Sequence, residues 1–241
     1  MKKKLVLSSL IILFLFPKCD TLKKVASILA PSELEMALGL KEALSQGLFR
    51  SFDAFQDPNG NPFVRFVFPG EAEKIEKTLR DLGLSRTVDQ VTGKFTRATS
   101  SAVRAAKPIF LQSLRDMSIR DAATILITDN NHAATEYFKT AMSPQLMVAF
   151  RPIVDSTINV EGANKDWSQI VNVYNKIPFI SKPLEPSLTD FIAARAIDGM
   201  FGVVANEEEQ IRTKYEFRKT DLMKKVFGYA EDELKRRAQP R

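Results

Sequence analysis

Cysteine, histidine and tryptophan each occur once in this chain of 241 residues. A lone cysteine, Cys19, excludes an internal disulfide and any set of thiolates for structural zinc. A lone histidine, His132, shares a helical i, i+4 spacing with Glu136, but two ligands are too few for a metal site. Ser-His-Asp chemistry would need the same His132, and no Gly-x-Ser-x-Gly elbow or glycine-rich phosphate loop accompanies it. No catalytic residue, metal or cofactor is therefore expected. Carboxylate-only hydrolysis is kept as a last alternative, since any helical bundle can set two acids at a useful separation. Aromatic residues do not interleave with basic ones as a stacking surface requires, so no nucleic-acid partner is expected.

The chain does begin with an address. Lys2, Lys3 and Lys4 precede an apolar run from Leu5 to Phe16, about twelve residues where a membrane span needs about twenty, and this is the form of a secretory signal. Cys19 follows directly and resembles the acylated first residue of a bacterial lipoprotein. Phe16 and Lys18 depart from that pattern, in which an aliphatic and a small residue are usual. No Ala-x-Ala-like site offers the ordinary cleavage instead, so secretion without lipid ranks second and a cytoplasmic location last. The expected organisation is a signal peptide over 1–18, a lipidated tether over 19–31, a helical domain over 32–228 and a charged flexible tail over 229–241. The expected place is the bacterial cell envelope, facing the periplasm or the exterior, with the outer membrane preferred to the inner.

Removing the signal changes the charge. Four of the 35 Lys and Arg residues lie ahead of Cys19, which leaves 31 against 29 Asp and Glu, or about +2. The high pI of 9.3 belongs mostly to the leader.

The rest reads as helices around one core. Ser32 to Glu35 is a capping box opening a helix with Leu34, Ala37, Leu38, Leu44, Leu48 and Phe52 inward. Asn61 to Phe68 is the one strand-like run; a single strand makes no sheet, so an extended segment over helices is expected. Helices are expected from Glu71 to Leu82, closed by Gly83, and from Arg86 to Ala106. A joint at Lys107-Pro108 should start another, and Ser118 should cap the next. Asp129 to Val154 is expected to divide at Ser143-Pro144, with Ala134, Tyr137, Phe138 and Ala141 on one face and His132, Thr135, Glu136 and Lys139 opposite. Asp166 to Asn175 is helical, Ile177 to Pro186 extended, and Ser187 to Asp190 a further capping box. Thr220 should cap a short last helix ended by Gly228. The fold class expected is all-α, a single-domain multi-helix bundle with one extended segment near 61–68.

Several motifs carry a family resemblance: Lys107-Pro108-Ile109-Phe110, Ala149 to Val154 (AFRPIV), Tyr174 to Pro178 (YNKIP), Ala196 to Phe201 (AIDGMF) and Asp221 to Gly228 (DLMKKVFG). Together they resemble the bacterial family called domain of unknown function 4197, over roughly Glu33 to Gly228. The resemblance implies an exported, mainly helical protein of a Gram-negative-type bacterium, and implies no activity.

Six polar residues stand where packing alone would not put them. Arg151 lies at the edge of an apolar stripe beside Pro152, and Glu208 and Arg212 continue the apolar line of Phe201 and Val204. They are read first as a network that fixes helix packing. The second reading joins them with Lys107, Asp190 and Asp198 around a pocket that holds the head of an amphipathic ligand, with its tail among the phenylalanines. The function expected is a binding module without catalysis, for an apolar or amphipathic small molecule, with an envelope protein partner as the alternative.

Overall fold

The capping box at Ser32 is formed. The Ser32 amide donates to the Glu35 carboxylate at 2.9 Å, and the Glu35 amide donates back to Ser32 Oγ at 3.2 Å, an arrangement worth about 1 kcal/mol to the helix it starts. The computed structural model describes residues 30–56, 66–68, 72–160, 162–178, 183–185 and 187–238. The leader, Cys19 and most of the tether lie outside the described residues, as does the 57–65 stretch.

Among the described residues there are eight α-helices and no strand. They are α1 (Glu33–Ala54), α2 (Ala72–Asp81), α3 (Ser85–Asp116), α4 (Ile119–Leu126), α5 (Ala133–Val160), α6 (Ala163–Tyr174), α7 (Thr189–Thr213) and α8 (Asp221–Ala238), with a 3-10 turn over Tyr215–Phe217. Helix α7 packs against α1, α3 and α5; α3 and α5 pack on each other; α8 lies along α1.

Close approach decides two of these contacts. A Cβ on Gly39 would overlap Val226 Cγ2, and one on Gly47 would stand 3.2 Å from Val204 Cγ1. The bare backbone of α1 thus seats α8 on one side and α7 on the other. The core is rich in phenylalanine: Phe95, Phe110, Phe138, Phe150 and Phe201 are buried, each contributing about 1.5–3 kcal/mol of burial. Phe110 stacks on Phe138 at 5.6 Å, and Phe95 meets Trp167 edge-on at 6.0 Å.

Two prolines expected to mark joints, Pro108 and Pro144, do not, and a third, Pro152, lies within a helix as its setting in an apolar stripe implied. Pro108 sits inside α3, and Pro144 and Pro152 sit inside α5, so neither Lys107-Pro108 nor Ser143-Pro144 divides a helix. A helical proline costs most when the carbonyl four residues earlier loses its donor in a dry place. Here each proline is exposed, and so are Arg104, Thr140 and Val148, the residues whose carbonyls are freed. Water can serve all three.

The face of α5 also differs from expectation. Ala134, Phe138, Met142, Leu146, Phe150, Val154 and Ile158 are buried, a row of every fourth residue. Such a row winds about 40° around the helix at each step, so α5 meets α4, α7, α3 and α6 at different places along its length. Tyr137 and Ala141 therefore face outward, and Thr135 is buried.

Other boundaries shift for local reasons. Leu34, Leu38 and Leu82 are half exposed rather than inward. Ser187 does not cap α7: Leu188 holds the cap position with no side-chain bond, while the Thr189 hydroxyl donates to the Asp155 carboxylate. Gly228 does not end α8, which runs on through the expected flexible tail to Ala238. Glu231 with Lys235 at 2.7 Å and Glu233 with Arg237 at 3.3 Å are the i, i+4 pairs that support this continuation.

The end of the extended segment is described. Phe66 and Phe68 are buried without regular structure, and the Phe66 amide donates to Thr96 Oγ1 at 3.1 Å. The 183–185 stretch is held similarly. Asn175 Nδ2 donates to the Leu184 carbonyl at 3.0 Å and Asn175 Oδ1 accepts from the Leu184 amide at 2.8 Å, while Trp167 Nε1 donates to the Glu185 carbonyl at 2.9 Å.

Candidate functional site

Of the six polar residues read from the sequence, only two meet inside the protein. Glu208 and Arg212 form an ion pair at 2.9 Å with side chains 3% and 7% exposed. Glu208 accepts from the Ala134 amide at 3.0 Å, the Thr135 amide at 2.8 Å and the Thr135 hydroxyl at 2.7 Å. These are the unsatisfied donors at the start of α5, so Glu208 caps that helix from across the core and sets a negative charge at its positive end. Arg212 donates to the carbonyls of Leu126 at 3.0 Å and Ile125 at 3.1 Å, the last turn of α4. It sets a positive charge at a negative end. This polar capacity is turned on the protein's own groups, helix-end backbone above all, which is the chemistry of a packing joint.

A third buried ion extends the joint. Arg218, 3% exposed, donates to the Ile211 and Arg212 carbonyls at 2.9 Å each, closing α7, and reaches Glu231 on α8 at 3.1 Å. Sequence reading missed Arg218 because it follows a non-helical break and belongs to no apolar stripe.

The remaining four residues lie elsewhere. Arg151 is exposed and grips Asp190 with two hydrogen bonds, 2.6 and 3.0 Å. The hydrogen bond from that guanidinium lowers the Asp190 pKa, and the carboxylate raises that of Arg151. Asp198 pairs with Lys139 at 2.7 Å, both about half exposed. Lys107 is exposed, its Nζ lying 5.4 Å from the centroid of the Phe49 ring. His132, just ahead of α5, has Nδ1 at 3.2 Å from the Ala205 carbonyl. Among the described residues no three His, Cys, Asp or Glu side chains converge as a metal site would require.

The outer face of α1 carries a different feature. Leu38, Lys41, Glu42, Ser45, Gln46 and Phe49 recur at helical spacing and floor an open groove of about 800 Å³. Leu111, Leu114 and Arg115 of α3 wall it on one side, and Thr220, Leu222 and Met223 at the start of α8 wall it on the other. Leu38 and Phe49 are nearly half exposed. Lys41 donates to the Arg115 carbonyl at 3.2 Å, and the Arg115 guanidinium donates to Gln112 Oε1 at 2.6 and 3.2 Å. Glu42 accepts from the Thr220 hydroxyl, and Gln46 donates to buried Glu207 at 2.6 Å. A sign of this groove is present in the sequence: α1 has apolar residues on more than one face, with Leu38 and Phe49 beside the core row of Leu40, Leu44 and Leu48.

Fold and site together define an all-helical domain whose buried ions join its own helices and whose apolar groove lies open on the surface. The chain belongs to the family described as "Protein of unknown function (DUF4197)", matched over residues 30–228. No curated protein and no solved structure matches it.

Proposed function

We propose that this protein is a binding module without catalytic activity, exported and anchored to the bacterial envelope through lipid on Cys19, and that the groove over α1 is its working surface. The observation that carries the reading is the contrast between interior and surface. The buried ions Glu208, Arg212 and Arg218 point at helix ends of the protein itself, so they do not offer a head-group site. The apolar side chains of Leu38 and Phe49 are left partly open instead, at the two ends of one groove where a single partner could cover both. The anchor rests on the charged start, the short apolar core and the position of Cys19. No described helix is long and apolar enough to cross a membrane.

Two measurements test this. Labelled palmitate should enter the chain and be lost in Cys19→Ser; undiminished label ends the lipid anchor. Native mass spectrometry with solvent extraction, on chain purified without detergent, together with crosslinking from Ser45 in the envelope, should find an occupant. A bare mass with no crosslink at Ser45 ends the binding-module reading.

A further inference from the structure

We infer that the occupant of the groove is an acidic amphipathic helix of a partner protein, an inference that rests on the binding-module reading and names its partner class. Three features of the groove converge on that chemistry.

The first is charge. Lys107 and Arg115 stand eight residues apart on α3 with Leu111 midway, a row that winds about 80° around the helix over about 12 Å; Leu111 and Arg115 line the groove, and Lys107 stands past that lining against the ring of Phe49. Lys41 adds a third cation beside Arg115. Arg115 and Lys41 bond only to amide and carbonyl oxygens, and Lys107 meets an aromatic ring. Asp116, the acid adjoining Arg115, is bonded to Gln112. Among the described residues none of these three cations has a carboxylate partner. The groove thus has Arg115 on its α3 wall, Lys41 beside it on the floor and Lys107 just past the lining over Phe49, three cations on the α3 side open to a negatively charged partner. The single acid of the floor, Glu42, is engaged by Thr220 on the opposite side.

The second is length. From Leu38 to Phe49 the floor runs eleven residues, about 16 Å, which is three turns of a facing helix and accommodates anchors at i, i+3 or i+4, and i+7. The third is polarity. Glu42, Ser45 and Gln46 lie in the middle of the floor between Leu38 and Phe49. An acyl chain laid there would take the Glu42 carboxylate out of water with only the Thr220 hydroxyl bonded to it, and the open side would leave much of the chain in water. A peptide helix brings both apolar anchors and polar side chains, the mixture usual at protein interfaces.

The test uses the full chain carrying Cys19→Ser and two labelled helical peptides of about eighteen residues. Both have leucines at i, i+4 and i+7, and they differ only in glutamate or lysine along one edge. Fluorescence anisotropy should show the glutamate peptide binding at least about tenfold tighter, weakening as salt rises. Lys107→Glu with Arg115→Glu, both exposed and without carboxylate partners, should reverse the preference, and Leu38→Ser should weaken both peptides. Equal affinity for the two peptides, or no binding of either, overturns the inference. If phosphatidylglycerol vesicles bind in place of the peptide and lose affinity in the charge-reversed variant, the occupant is an anionic lipid. The helix inference then falls while the binding-module reading stands.

Discussion

Glu208 and Arg212, one turn apart on α7, close the ends of two other helices: Glu208 holds the first amides of α5 and Arg212 the last carbonyls of α4. Each ion is therefore bonded both to its partner and to a helix terminus of favourable sign. Removing one leaves the other charged, buried and only partly satisfied.

Glu208→Ala is accordingly expected to cost about 3–5 kcal/mol, a fall in melting temperature of roughly 6–20 °C for a domain of this size. Glu208→Gln should cost less, because one oxygen can still accept from the α5 amides. Arg151→Ala, at an exposed pair, should leave the melting temperature nearly unchanged. Thermal melts of the three variants decide the matter, and equal falls for Glu208→Ala and Arg151→Ala would refute the assignment of the buried joint.

That contrast also shows how far the sequence could be read. Charges on the line of Phe201 and Val204 identified Glu208 and Arg212, because helical spacing fixes which residues share a face. Arg151 sat at the edge of its stripe, where a small rotation sends a side chain to water, and the winding buried row of α5 supplied it. Pro108 and Pro144 misled for a related reason: sequence shows that a donor is missing, but only packing shows that the freed carbonyl is wet. The groove was illegible as a site because its walls come from α3 and α8, far apart in the chain.

Two glycines in helices should respond oppositely to alanine. Gly39→Ala places a Cβ against Val226 and should destabilise by about 1–3 kcal/mol through overpacking, with Val226→Ala recovering part of the loss. Gly93→Ala meets only the Arg97 guanidinium at 3.5 Å, so relief of helix-glycine entropy should stabilise by about 0.5–1 kcal/mol. Chemical denaturation of both single variants and the Gly39→Ala, Val226→Ala pair checks this.

Arg218→Lys should loosen α8. A lysine ammonium lacks the planar fork that reaches the Ile211 and Arg212 carbonyls and Glu231 together, and losing charge-assisted bonds from a buried site costs about 1.5–3 kcal/mol. Amide hydrogen exchange should quicken in α8 and the end of α7 more than in α3. Uniform exchange across the domain would count against the closure of α7 by Arg218.

Acid should weaken the same contact. Hydrogen bonds from Lys235 and then Arg218 hold the Glu231 pKa below its ordinary 4.5. A carboxylate lowered in the folded state adds stability that is present above pH 4.5 and is lost as pH falls through the folded value. Glu231→Gln should thus be less stable than the parent at neutral pH and converge with it in acid. A constant difference between them in melts from pH 7 down to pH 3 would contradict the linkage.

The joint on α7 reaches far along the chain. The α5 amides wait for a carboxylate 73 and 74 residues later, and the α4 carbonyls wait for a guanidinium 86 and 87 residues later. A growing chain thus presents α4 and the start of α5 with their ends open until the C-terminal third has been made. Contacts of such separation cost loop-closure entropy before they return any stability. The charges that lock the bundle shut are thus among the later parts of the domain to be made, and until they arrive two helix ends depend on water for their hydrogen bonds.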